Sequence, residues 1–507
     1  MAQQLQNITV AAPGFMGLNT QESPIGGDPS FASVADNCVI DKLGRIGARK
    51  GWEAVSSNGA AVLGSSRGIE SVFEFVKRDG TKIVFSAGNN KIFTGTSTLA
   101  AVTLPSGYSI SANNWKIVSF NNDVYFFQRG HAALVSVAGS TTLIAVADGG
   151  TAAPAANEVL AAYGRLWAAD ITANKYVVYW SDLLDGDDWH GGSSGSLDLT
   201  LVWPTGFDEV VALSAHNGFL IIFGKKSMIV YSGASAPASM TLADTVEGVG
   251  CIARDSVQHT GTDILFLSDS GVRSFTRTIQ EKSMPMRDIS KNVRTDLTSL
   301  VPLQTNAIKS VYSADEAFYL LTLPDSDTTY CFDMRSPLQD GSQRATTWSG
   351  LHPLAFTITE AGDIYFGLSS GIVEYTGYLD GTANYQMRYF SNPMDFGNAS
   401  NLKFLKKFNI TIIGGQNTKS TLNWGYDYST NFTKQVFTLT GSVNAGEYGV
   451  SEYNTTAEYT ATAIINTPKV NTSGNGEVVT IGLETEINDT SFSIQKIDIH
   501  AILGRLI

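Results

Sequence analysis

One pattern recurs seven times along the chain: a small or polar turn, four or five mostly apolar residues, another turn, and a second short apolar run. It reads "RDGTKIVFSAGNNKIFTG", "FNNDVYFFQRGHAALVSV", "AYGRLWAADITANKYVVYWS", "AHNGFLIIFGKKSMIVYSG", "TGTDILFLSDSGVRSFTR", "SADEAFYLLTLPDSDTTYCFD" and "EAGDIYFGLSSGIVEYTG". Aligned on the second residue after the turn, the anchors are Lys82, Val124, Leu166, Leu220, Ile264, Phe318 and Ile364, spaced by 42, 42, 54, 44, 54 and 46 residues. Each unit is a β-hairpin in composition, with Val, Ile, Phe and Tyr in the runs and Gly, Asn and Asp in the turns. Runs such as "FLIIF" and "ILFL" have no polar face and ask for cover on both sides. One small sheet cannot supply that cover alone, so neighbours must stack. A strand-built period of 40 to 50 residues is the signature of propeller blades.

The fold expected is therefore all-β: a β-propeller of six or seven blades plus a C-terminal antiparallel β-sandwich. A stack of β-sandwiches is the alternative. Residues 60–384 are assigned to the propeller and 385–507 to the sandwich with a docking tail. In the second region strands such as "STLNWGYDYS" alternate more strictly and the connections lengthen. Residues 1–59 form an extended lead-in, too rich in Pro and small residues for a core of its own; it completes a blade or contacts a neighbour. One helix is expected, over residues 286–301, with Asp288 or Ser290 as its cap.

Charged residues make up 16% of the chain and the net charge is −13. That balance argues against a grip on nucleic acid built from basic patches, and low charge suits surfaces committed to protein contacts. Cys38, Cys251 and Cys331 are too far apart in sequence for a metal knuckle and read as buried thiols. The first fifteen residues lack a secretory pattern, and no segment reaches membrane-spanning length. The expectation is a chain made and folded in the cytoplasm.

The densest chemistry lies in "YWSDLLDGDDWHGG", residues 179–192. Asp182, Asp185, Asp187 and Asp188 miss the spacing and the distal Glu of a calcium loop. His190 has no histidine nearby in sequence for zinc, and nothing singles out two acids for glycoside hydrolysis. Aspartates and glycines making turns, with Trp180 and Trp189 covering a blade edge, is the preferred reading; a surface cation at 182–190 stays open. "GGSSGS" at 191–196 reads as a flexible loop, since no Lys-Ser/Thr follows it. No G-x-S-x-G elbow is present. Lys403, Lys406 and Lys407 read as solvated or edge-guarding lysines. No catalytic, cofactor-binding or metal residue is assigned, no cofactor is expected, and the chain is not read as an enzyme.

The lead-in carries a resemblance. Gly17-Leu18-Asn19, then Ala35-x-Asn37, Asp41, Gly44, Arg49 and Gly51, with "GRLWAAD…YVVYWSD" at 164–182 and "RYFSNPMDFGNASNLKFLKKFNI" at 388–410, resemble the tail nozzle family of short-tailed bacteriophages. That family includes tail tubular protein B and the DNA-stabilisation tail-hub proteins. The resemblance implies a structural virion protein in the tail, a homohexamer below the portal adaptor ring. It would extend the DNA channel, retain packaged DNA until ejection, and anchor a tail fibre or a needle or plug protein. Genomic DNA would pass without sequence-specific binding, and the host outer surface is a further implied partner. The resemblance assigns no gate residue here. The competing reading is a carbohydrate-binding or carbohydrate-cleaving propeller, with Trp189 or Trp424 stacking on sugars.

Overall fold

The computed structural model describes residues 5–11, 15–23, 28–204, 206–281, 288–397, 400–440, 443–446 and 462–506. Seven sheets stand around one axis. Blades one to four each have four antiparallel strands, running from Ile69–Val76 to Ala100–Ala101, Lys116–Phe120 to Ile144–Ala145, Ala156–Ala162 to Gly195–Asp198, and Val210–His216 to Thr241–Glu247. Blade five has three strands, Gln258–His259, Ile264–Ser268 and Gly271–Ser274. Blade six runs from Lys309–Ser313 to Arg344–Trp348, and blade seven holds Ala355–Ile358, Ile364–Leu368 and Gly371–Glu374. Six blades are thus four-stranded, because Glu53–Ala54 pairs with Gly371–Glu374 as the fourth strand of blade seven. The innermost strand of blade seven packs on that of blade one, which closes the ring.

All seven anchors fall on the second strand of a sheet. These strands are the most enclosed; Ile264–Ser268 and Phe318–Leu323 are buried along their whole length. Separate apolar layers fill the gaps between consecutive blades, such as Phe85, Phe126 and Trp115 between blades one and two. Trp167, Trp180 and Trp203 fill the gap between blades three and four. At roughly 25 cal/mol per Å² of apolar surface removed from water, these layers are the main force holding the disc.

The C-terminal strands do not form a detached unit. Blade six continues outward through Ala32–Asp36, Tyr385–Ser391, Val479–Ile487, Lys419–Tyr426 and Thr433–Thr438 into one nine-stranded sheet. A second sheet is built on Asn401–Gly414 and Phe492–Leu506, with Cys38–Ile40, Ile46–Ala48 and Leu5–Ala11 added from the lead-in. One core, including Phe408, Trp424, Ile481 and Ile499, joins these two sheets to blades five and six.

Several expectations need correction. The helix over 286–301 is shorter: Lys291–Val293 is a 3-10 turn and Arg294–Leu300 the α-helix, while residues 286 and 287 lie outside the described residues. Neither Asp288 nor Ser290 caps it. Asp288 pairs with Arg294 at 2.5 Å, and the Ser290 hydroxyl accepts from the Val272 N–H. A further helix, Phe275–Glu281, follows the third strand of blade five. The "GGSSGS" segment is a bound turn leading into the strand Gly195–Asp198; Asp182 accepts from both the N–H and the hydroxyl of Ser193. Lys403 is buried, and its strand is interior to its sheet, so an edge role does not apply. No helix of the described residues is long and apolar enough to cross a membrane.

The lead-in is held by the residues that stand out in its sequence. Arg49 is fully buried and makes a two-pronged ion pair with Asp380, at 2.8 and 2.7 Å. Its Nε donates to Asn37 Oδ1 at 2.8 Å, and its guanidinium lies 4.1 Å from the Tyr385 ring centre. Asn37 takes a left-handed φ of 54° and donates to the Gln386 carbonyl. Asp41 and Gly44 build the tight turn between Cys38–Ile40 and Ile46–Ala48. Gly51 lies against the backbone of Leu379, where an added Cβ would stand 1.9 Å from the carbonyl oxygen. Gly51→Ala is expected to cost about 3 kcal/mol, because backbone and not a movable side chain is in the way. Denaturant midpoints of the two proteins check it.

Candidate functional site

The innermost strands leave a narrow axial space, and its chemistry follows from what they point inward. Arg254 and Asp255 come from the 3-10 turn Arg254–Ser256 that opens blade five. Asn114 and Lys116 come from blade two, Asn157 and Glu158 from blade three, and Lys309 from blade six. Asp255 is the hub. Arg254 meets it through Nε and Nη2 at 2.9 and 2.8 Å, Lys309 at 2.8 Å and Lys116 at 3.9 Å. Arg254 also donates to the Asn157 carbonyl at 2.6 Å and to Asn114 Oδ1 at 2.8 Å. Asn157 in turn donates to Asp170 at 2.9 Å, a buried aspartate with a left-handed φ of 62° that also pairs with Arg129.

Burial alone would raise the Asp255 carboxyl, but Arg254, Lys309 and Lys116 hold it well below the usual carboxylate range. Glu158 goes the other way. It is 1% exposed, its Oε2 makes no hydrogen bond, and Lys116 lies 3.5 Å away. Burial therefore raises it despite Lys116 and Arg254. A carboxyl raised in the folded state costs stability above its folded pKa, and the cost fades as pH falls towards the unfolded value, about 4.3. Glu158→Gln is accordingly expected to melt higher than the parent at pH 8, with the gap closing near pH 4.5. Melting curves across that range check both the sign and the window.

Beside the cluster lies a cavity of about 200 Å³, lined by Glu70, Trp115, Lys116, Asp255, Gln258 and Lys309 among others. Two acids, Glu70 and Asp255, and two cations, Lys116 and Lys309, are among its lining residues. A pair of carboxylates poised for acid–base work would need one raised acid facing one free base across a substrate. Here Asp255 is committed to three cations and Glu158 is enclosed.

The acidic stretch 179–192 sits on blade three, between its third and fourth strands. Its aspartates serve the loop: Asp185 accepts from the Asp187 N–H, and Asp188 from the N–H groups of His190 and Gly191. Those bonds lower Asp188, and Ser193 lowers Asp182, whereas burial raises Asp187. Trp180 packs on Trp167, and Trp189 packs on Phe127 while donating to the Gly186 carbonyl. Trp424 is buried, so it offers no stacking face. Folding brings Asp148, from a hairpin beyond blade two, near Asp188 and His190, with ligand atoms within 4.8 Å of one another. Sequence spacing cannot reveal that approach. Asp148 and His190 are exposed and the half-buried Asp188 is already occupied by backbone, so they are not assigned as a metal centre.

One pairing escaped the sequence altogether. Ser214 Oγ lies 2.8 Å from His259 Nε2, the reach of a nucleophile and its base. Ser214 is fully buried on the innermost strand of blade four, out of reach of a substrate. The pair ties blade four to blade five. Cys38, Cys251 and Cys331 are buried and unpaired, and burial raises each thiol, Cys251 to about 11. They are poor nucleophiles at neutral pH.

No family model matches the chain, and no curated protein matches it. Among solved structures it is similar to the computationally designed Ika8 protein, at 13% identity and a TM-score of 0.36, covering 64% of this chain and 99% of that one. It is also similar to the extracellular domain of the one-component system BT4673 from B. thetaiotaomicron, at 9% identity and a TM-score of 0.43 over 80% of this chain and 59% of that one. YCF48 bound to D1 peptide is similar at 10% identity and a TM-score of 0.40, over 64% of this chain and 94% of that one.

Proposed function

We propose that this chain is a structural protein of a bacteriophage tail, six copies of which form a nozzle ring that extends the DNA channel below the portal adaptor. In this reading the ring retains packaged DNA and carries a fibre or a needle, and the chain performs no catalysis. The observation that carries the reading is the placement of the residues behind the family resemblance. Gly17, Asn37, Asp41, Gly44, Arg49 and Gly51 all serve the junction where the lead-in ties the propeller to the outer sheets. Residues spent on joining parts support a framework role for this segment.

The axis supports the same reading. Arg254, Lys309, Lys116 and Asp255 fill the centre of the disc with paired charge. In a ring of six copies, the conduit of this reading would lie between copies and not along this charge-filled axis, whose cavity is small. Electron microscopy of virions labelled with antibody to this chain tests the proposal. Label at the tail tip and six-fold rings of purified protein, alone or on the adaptor, are expected. A protein absent from the particle would end it.

A further inference from the structure

Lys309 is a buried amine that the framework reading leaves without a task. Its side chain is 9% exposed and comes from the innermost strand of blade six. The ammonium reaches across the axis into short contact with Asn114 Oδ1, just before the innermost strand of blade two. The two residues lie 195 positions apart in sequence. In a seven-membered ring their blades stand on nearly opposite sides of the axis.

Two further groups close around this contact. Asp255 Oδ2 accepts from Lys309 Nζ at 2.8 Å. Arg254 Nη2 donates at 2.8 Å to Asn114 Oδ1 and at 2.8 Å to Asp255 Oδ2. Lys309 and Arg254 can only donate, so they fix the oxygen of the Asn114 amide and not its nitrogen. Among the described residues Asn114 Nδ2 has no hydrogen-bond partner. Lys309 and Asp255 both line the axial cavity of about 200 Å³, which gives a small leaving group a place to go.

The set contains what acyl transfer to an amine requires. The amine is held against an amide, which removes the entropic part of the barrier. Burial lowers the Lys309 ammonium although Asp255 opposes it, and this favours the nucleophilic amine. Asp255 is held ionised by its cations, and so stands as a proton acceptor. The Arg254 guanidinium already points at the oxygen on which negative charge would grow.

We infer that Lys309 and Asn114 react with each other to form an isopeptide bond that ties blade six to blade two. Lys309 passes a proton to Asp255, and its Nζ bonds to Asn114 Cγ. The Cγ–Nδ2 bond then breaks. Nζ sheds two protons in all, one of them by way of Asp255, and both go to Nδ2, which leaves as ammonium. Asp255 ends ionised, as it began, and no oxidant, cofactor or second substrate is consumed. One turnover per chain suffices, so no step has to be fast. The ion pairs at the axis are those of the chain before this reaction. The bond restricts the unfolded chain and keeps the disc from opening at its centre. It needs no second copy and does not depend on the tail reading.

Denaturing mass spectrometry of the purified full chain, with tryptic mapping, tests the inference. The chain is expected to be lighter than its sequence by one ammonia. Residues 92–116 are expected in one branched peptide with residues 295–335, since trypsin does not cut after an acylated Lys309. Lys309→Arg keeps a cation beside Asp255 and is expected at full sequence mass, folded, and unfolding at lower denaturant. Asp255→Asn is expected to cut the branched fraction at least about tenfold. Separate linear peptides 92–116 and 295–309 from folded parent protein, incubated at neutral pH, would overturn the bond even if every variant failed to fold. A branched fraction undiminished in Asp255→Asn would overturn the part given to Asp255. Neither result alters the virion labelling that tests the nozzle reading.

Discussion

Asp255→Asn is expected to destabilise the fold by about 3–5 kcal/mol, the range seen when one partner of a buried ion cluster is removed. The substitution keeps size and shape and removes one charge, leaving Arg254, Lys309 and Lys116 facing one another at the axis. Burial already lowers the Lys309 ammonium, and Asp255 is the group that counters this. A double-mutant cycle separates charge from packing. Lys309→Met should be costly in the parent and much cheaper in the Asp255→Asn background, because its counter-charge is already gone. Equal costs in both backgrounds would mean that the cluster is not coupled. Acid acts in the same direction as the substitution. The Asp255 contribution is complete above its unfolded value, about 3.9, and is lost as pH falls through its lower folded value.

The second large effect is expected at Arg49. Arg49→Met should cost about 3 kcal/mol or more, since it leaves Asp380 without its two-pronged partner and strips a cation from the Tyr385 ring. Arg49→Lys is expected to recover little, because an ammonium cannot meet Asp380, Asn37 and the ring together. The loss should be local before it is global. Residues 28–52 are expected to become the first site of cleavage in limited proteolysis, while the blades remain resistant. Cleavage that begins within blades one to four would contradict this assignment.

The propeller was legible because its signal is local. A buried second strand between two tight turns needs its apolar residues adjacent in sequence, so Leu220 and Phe318 announce their blades without knowledge of the rest of the fold. The outer sheets were harder to read. Nothing around Ala32–Asp36 shows that it lies between a blade strand and Tyr385–Ser391, since such pairing joins residues more than 300 positions apart. The axial cluster was invisible for the same reason. Lys116, Glu158, Asp255 and Lys309 sit singly on four blades and look like ordinary surface charges until the ring closes. Lys403 misled in the opposite sense, because a run of lysines suggests solvent, yet its strand is interior.

The pairing of Glu53–Ala54 with Gly371–Glu374 also bears on synthesis. The strand Glu53–Ala54 waits for its partner Gly371–Glu374 until more than 300 further residues have left the ribosome. At 5–20 residues per second, that is a wait of about 15 to 60 seconds. Through that interval blade one has no neighbour on its open side, and its apolar flank, Ile69, Val72 and Phe93, stays wet. Such a chain should depend on chaperones during translation and should aggregate when truncated before residue 374.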